Sequence, residues 1–160
     1  MMNERRVISV VVSNEHGVLS RISSLFAGRG YNIETLTVAP IPNTDFSRFT
    51  ISTKGSVQVI EQITKQLNKL IPTLKVLEHK EHDTDNIQKE MALLKFSNKE
   101  NIADIDALSK AYNGGVVNVG EEIVIVMVAD EPFRIKQFIK AVERFNPLEV
   151  VRGGVVAIER

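Results

Sequence analysis

The sequence contains no cysteine and no tryptophan. The first absence excludes disulfides, thiolate nucleophiles and cysteine-ligated zinc. The second, together with the lack of any basic–glycine–aromatic stretch, argues against a sheet that stacks single-stranded RNA on exposed rings. Net charge is missing too: 20 Lys and Arg balance 20 Asp and Glu, which leaves no global attraction to nucleic acid or to an anionic membrane. No segment approaches the ~20 apolar residues of a membrane span. Val7–Val12 is too short for a signal-peptide core and has no small-residue cleavage site behind it. There is no P-loop and no dinucleotide fingerprint. What remains is a globular chain of 160 residues, 43% hydrophobic and 25% charged, expected in the cytoplasm.

The hydrophobic periods alternate between the two regular types. Val7–Val12 is β-branched and reads as a buried strand, and Val18, Leu19, Ile22, Leu25 and Phe26 recur at helical spacing. Gly28 and Gly30 suit a left-handed helix C-cap. Ile33–Ala39 alternates as a second strand stopped by Pro40 and Pro42, and Phe46–Lys54 as a third. A second amphipathic helix carries Val59, Ile60, Ile63, Leu67, Leu70 and Ile71 and ends at Pro72, before a strand at Leu74–Leu77. The order β-α-β-β-α-β is the ferredoxin-like pattern. The polar stretch Glu78–Asn86 reads as a linker, after which the pattern begins again. Strands at Glu90–Phe96, Val116–Val119, Ile123–Val128, Leu148–Val151 and Val155–Ile158 surround helices on Ile102–Tyr112 and from Pro132. Asp130-Glu131-Pro132 forms the start of the second of these helices, and Gly153-Gly154 marks a bend. The fold class is therefore α+β, two ferredoxin-like βαββαβ units, with boundaries at 1–79, 80–88 for the linker and 89–160. Units this small, with open sheet edges, favour pairing, and at least a dimer is expected.

Few residues suggest chemistry. The turn Asn14-Glu15-His16-Gly17 opens the first helix, where unpaired N–H groups and the positive end of the helix dipole suit a carboxylate. Gly17 leaves those amides uncovered, and Asn14 can donate or accept. Asn32 follows the other end of the same helix and is placed to complete a site across a dimer interface. Turn chemistry alone also accounts for these residues. His79 and His82 have a metal-compatible spacing beside Glu81 and Asp83, but they fall in the polar stretch, and a solvated linker is the expectation there. His16 is expected to be exposed. The carboxylates Asp104, Asp106, Glu121 and Glu122 fall in turns or on solvent faces, so no catalytic residue and no metal ligand is assigned.

One stretch is long and specific. Arg29–Pro40 reads R-G-Y-N-I-E-T-L-T-V-A-P, and with Arg5–Val10, Asn14–Arg21, Ser47–Ile51 and Gln62–Leu70 it closely resembles the small regulatory subunit of acetolactate synthase, also called acetohydroxyacid synthase. Val150–Val155 resembles that family's closing strand. The similarity covers nearly the whole chain and is sharp over the first half. The resemblance implies that the first unit is an ACT domain, an amino-acid-sensing module that dimerises. It implies a subunit without catalysis of its own that binds and activates the large catalytic subunit and confers feedback inhibition by valine in branched-chain amino acid biosynthesis. Thiamine diphosphate, magnesium and FAD would belong to that large subunit, with no cofactor in this one. Matched residue by residue, the effector site would take Asn14, Gly17, Val18 and Leu19 from one chain and Asn32 and Ile33 from its partner. His16 stands where many relatives carry a small residue and flanks the site. Two other readings are a stand-alone amino-acid sensor with a different partner and a small acylphosphatase-like enzyme. The second lacks the arginine that its anion loop requires.

Overall fold

The computed structural model describes residues 3–160. Its first half runs β1 (Glu4–Ser13), α1 (Val18–Gly28), β2 (Thr35–Pro40), β3 (Phe46–Gly55), α2 (Val57–Lys69) and β4 (Thr73–Lys80). The second runs β5 (Asn86–Ser97), α3 (Ile102–Ala111), β6 (Gly114–Val119), β7 (Ile123–Asp130), α4 (Pro132–Ala141), a 3-10 turn at Glu143–Phe145, β8 (Glu149–Arg152) and β9 (Val156–Glu159). The sheet orders β2-β3-β1-β4 and β6-β7-β5-β8 repeat one topology, antiparallel throughout. Both are ferredoxin-like, as the element order implies.

In the first unit, alternation along β1 sends Ile8, Val10 and Val12 to the helical side. There they meet Phe49 and Ile51 of β3, Ile22 and Phe26 of α1, and Ile60, Ile63 and Leu67 of α2. Each such side chain contributes about 2 kcal/mol when fully buried, so this layer holds both helices on the sheet. Helix α1 ends with Arg29 as its C-cap, and Gly30 takes the left-handed conformation at φ 68°. Ser56 caps α2, its hydroxyl accepting from the Val59 N–H at 3.3 Å.

The opposite face of this sheet is partly polar, and here the structure corrects the reading of His79. That residue belongs to β4, paired with Val7, and is only 3% exposed, rather than lying in a solvated linker. Its Nε2 lies 3.1 Å from the hydroxyl of Ser9, which is fully buried. Strand β4 persists to Lys80 because its backbone continues the ladder with β1 and because Glu78 pairs with Arg6 at 3.0 Å. Only residues 81–85 separate β4 from β5, so both ends of the expected linker are strand and its middle is a short turn.

The compact unit built on the first sheet also includes Gly154–Arg160. These residues read in the sequence as the end of the second unit. Val155 and Ala157 instead bury against Val7, and the Arg160 N–H donates to the Asp85 carbonyl at 2.9 Å. Gly154 runs so close to β2 that a Cβ there would lie 2.5 Å from the Thr37 hydroxyl and 3.1 Å from the Leu36 carbonyl. The residues after the bend at Gly153-Gly154 thus pack within the first compact unit, while β9 takes its strand partner from β5.

Burial pushes the His79 imidazole below its ordinary value; Glu159 and Asp83 oppose this, and Arg48 adds to it. The unfolded imidazole takes up a proton near pH 6.5 while the folded one stays neutral. Stability is therefore full above that value and falls as the pH drops toward the lower folded pKa. Thermal midpoints measured between about pH 7.5 and 5.5 are expected to decline, and His79→Gln is expected to flatten that slope.

The second unit has its own core of Leu94, Phe96, Ile105, Val124, Val126, Ile135 and Phe138 among others. Two buried acids brace it. Glu90 pairs with Arg152 at 2.6 Å. Asp130 accepts from Arg134 at 2.5 Å, from Asn113 at 3.1 Å and from the Glu131 N–H at 2.8 Å. Burial raises the Asp130 pKa, but the bonds from Arg134, the Glu131 N–H and Lys89 outweigh it and hold the carboxyl below its usual range. Asp130 therefore ties the start of α4, whose N-cap position is Glu131, to the end of α3.

Candidate functional site

The site lies where β1 hands over to α1. Strand β1 ends at Ser13, whose N–H donates to the Pro72 carbonyl at 3.2 Å, and the Asn14 N–H donates to the Asp45 carbonyl at 2.9 Å. The loop is therefore fastened on two sides before it turns. Gly17 makes the turn at φ 81° and serves as the N-cap of α1, with no side chain capping the helix start. Only glycine takes this conformation freely. The first N–H groups of α1 thus have no intrahelical partner.

These amides open onto a cavity of about 270 Å³ lined by Asn14, Glu15, His16, Gly17, Val18 and Leu19 from the loop and helix. Its other wall is β-sheet: Val12, Ser13, Val38, Ser47 and Phe49. Val38 of β2 pairs directly with Phe49 of β3, so this wall is set by strand register. Phe49 and Val18 are buried, whereas Leu19 and Val38 are 49% and 43% exposed. One end of the cavity is thus polar and donor-rich and the other aliphatic.

The structure brings Asn14, Gly17, Val18 and Leu19 together, as the sequence suggests. Asn32 and Ile33 do not line this cavity. They follow the far end of α1, where the Asn32 carbonyl accepts from the Thr53 hydroxyl at 2.6 Å. His16 is exposed, as expected. Val38, Ser47 and Phe49 are not legible in the sequence as lining this cavity, because no local motif carries them. The only signal is the alternation of two strands whose pairing must be known first. Among the described residues no group of His, Cys, Asp or Glu is placed to hold a metal.

The comparisons with known proteins fall on both halves. Residues 8–75 match the family model described as the AHAS small subunit-like ACT domain, and residues 89–160 match the one described as the small subunit of acetolactate synthase. The acetolactate synthase small subunit of Buchnera aphidicola from Schizaphis graminum is 37% identical over 158 residues, covering 98% of this chain and 99% of that one. The chain belongs to the acetolactate synthase small-subunit family. Another small subunit of this family, that of acetolactate synthase isozyme 3 of Escherichia coli, is 36% identical, covering 98% of this chain and 96% of its own. The crystal structure of the small subunit from Thermotoga maritima superposes with a TM-score of 0.87 at 31% identity, covering 98% and 97% of the two chains. As a member of this family the chain is a regulatory subunit and not itself the catalyst. Its first unit is an ACT domain. No helix among the described residues is long and apolar enough to cross a membrane.

Proposed function

We propose that this chain is a cytoplasmic subunit that activates the large, thiamine-diphosphate-dependent catalytic subunit of acetolactate synthase and makes it subject to feedback inhibition by valine. Thiamine diphosphate, magnesium and FAD would be held by that catalytic subunit. The observation that carries the reading is the cavity at Gly17. Uncapped N–H groups of α1 and the Asn14 amide suit the charged end of an α-amino acid, while Leu19, Val38 and Phe49 offer aliphatic and aromatic surface to a short branched side chain. A volume of about 270 Å³ accommodates a free amino acid. Asn32 and Ile33, outside the cavity of their own chain, would complete the cavity of a second copy in a homodimer formed through the ACT domains. Valine bound there would favour one packing of the pair, and the catalytic subunit would respond through a coupling of ~1–3 kcal/mol.

Calorimetry with L-valine tests this directly. Saturable binding is expected, with D-valine silent and with isoleucine and leucine setting the order of preference. Asn32→Ala is expected to weaken L-valine binding by more than tenfold and to remove valine inhibition from the reconstituted enzyme. Unchanged inhibition by valine with Asn32→Ala would overturn the site. Absence of L-valine binding both in the chain alone and in the reconstituted enzyme would overturn the effector.

A further inference from the structure

The charges of this chain cancel in total but not in place. On the helical side of the ACT domain, α1 carries no carboxylate and α2 carries one, Glu61. Against that single acid stand Arg21, Arg29, Lys65 and Lys69, all exposed. Arg21, Arg29 and Lys69 border a shallow groove between the two helices, floored by Leu25 and Leu70 and flanked by Ser24 and Gln66. Structural needs account for little of this charge. Arg29 donates to the neutral amide oxygen of Gln66 at 3.1 Å, and Arg21 to the Ile71 carbonyl at 3.0 Å.

The second observation is apolar. Ile71, just beyond α2, is 82% exposed, the highest value among the large hydrophobics of the described residues, and Leu74 nearby in β4 is 63% exposed. The Arg21 guanidinium reaches over to the backbone of Ile71, so the cationic groove and the apolar tip form one continuous surface. Exposed aliphatic anchors beside a cationic rim have the anatomy of a protein-docking patch. A polyanion alone would draw on the cations and leave Ile71 and Leu74 unexplained.

We propose that this groove, with Arg21, Arg29, Lys69 and the Ile71 tip, is where the ACT domain docks the catalytic subunit, through a segment of that subunit bearing carboxylates beside an apolar side chain. The inference rests on the reading that the catalytic subunit is the partner. It adds the surface, the sign of the partner's charge and a dependence on salt. Charges on a rim chiefly set the association rate, and exposed ones are screened within ~8 Å at physiological ionic strength. The groove is separate from the cavity at Gly17, with no lining residue in common.

The test uses the full chain and the purified catalytic subunit, with half-maximal activation and direct binding as readouts. Arg21→Glu/Lys69→Glu is expected to raise the concentration for half-maximal activation more than tenfold, and Ile71→Asp to do the same without reversing a cation. Raising the salt is expected to weaken the wild-type complex and to affect the double variant far less. Lys136→Glu/Lys140→Glu, on α4, supplies the control for charge change and is expected to bind as the wild type does. L-valine calorimetry and thermal melts on each variant confirm an intact ACT domain. Wild-type affinity in both groove variants, or equal weakening by the α4 variant, would overturn the surface while leaving the partner assignment standing. If the unmodified chain neither binds nor activates the catalytic subunit, the partner assignment and the surface fall together. Should the groove variants lose affinity for phosphate or anionic vesicles while retaining that for the catalytic subunit, the groove is an anion or lipid site and the proposal is wrong.

Discussion

Replacing Gly114 with alanine is expected to destabilise the second unit by about 3 kcal/mol, at the upper end of the cost of overpacking. Gly114 opens β6 opposite Val128 of β7. A Cβ there would lie 2.0 Å from the Met127 carbonyl oxygen, 2.6 Å from Val128 Cγ1 and 2.9 Å from Val128 Cα. Two of these three are backbone atoms, so no rotamer change relieves the contact. Either β6 withdraws from β7 and gives up ladder hydrogen bonds, or β7 shifts within the core. Gly115→Ala is the matched control, because its Cβ would meet nothing closer than Asp106 Oδ1 at 3.9 Å. With no tryptophan in the chain, tyrosine reports each unit separately. Tyr112 caps α3 and packs on Phe138, while Tyr31 packs on Phe26 in the first unit. In a Tyr31→Phe background, the Tyr112 fluorescence transition in denaturant is expected to move to lower concentration for Gly114→Ala and to stay in place for Gly115→Ala. Equal shifts for the two would mean that the strand adapts.

The second large effect concerns the effector cavity. Gly17→Val is expected to cost ~1–2 kcal/mol of stability, because a β-branched residue is forced into a left-handed conformation. It is also expected to weaken L-valine binding more than tenfold. The two consequences separate with Gly17→Asn. Asparagine tolerates positive φ, so the fold recovers most of its stability, yet the side chain still stands over the α1 amides where the carboxylate is proposed to bind. A Cβ at Gly17 meets no atom within 4 Å, so any loss of binding cannot be traced to a clash within the chain. Near-normal binding by Gly17→Asn would show that the amides after Gly17 do not hold the effector.

These expectations draw on the sequence and the structure unequally. The order of elements is legible because each helix and strand carries its own period; Ile22, Leu25 and Phe26 declare α1 whatever lies beside it. Residues contiguous in the chain are also legible as neighbours, and Asn14, Gly17, Val18 and Leu19 line one cavity. What depends on pairing across the sheet is not. Val38 and Phe49 become one wall only through the register of β2 on β3. His79 looks like part of a charged run because its partner, Ser9, lies 70 residues away in the chain. Gly114 and Gly115 are adjacent and alike on paper, yet one is pressed against backbone and the other is nearly free. The alternation at Val155–Ala157 announces a buried face without saying which sheet buries it.

That last segment bears on how the protein comes into being. Strand β9 leaves the ribosome only after the whole second unit has been made, but Val155 and Ala157 are what shelter Val7. A nascent first unit therefore has its helices and sheet in hand while part of its surface is still waiting for residues not yet synthesised. Chains interrupted before Gly154 keep every element of the ACT domain but leave Val7 without the side chains that cover it in the finished fold, the kind of transient apolar exposure that makes incomplete chains prone to misassembly.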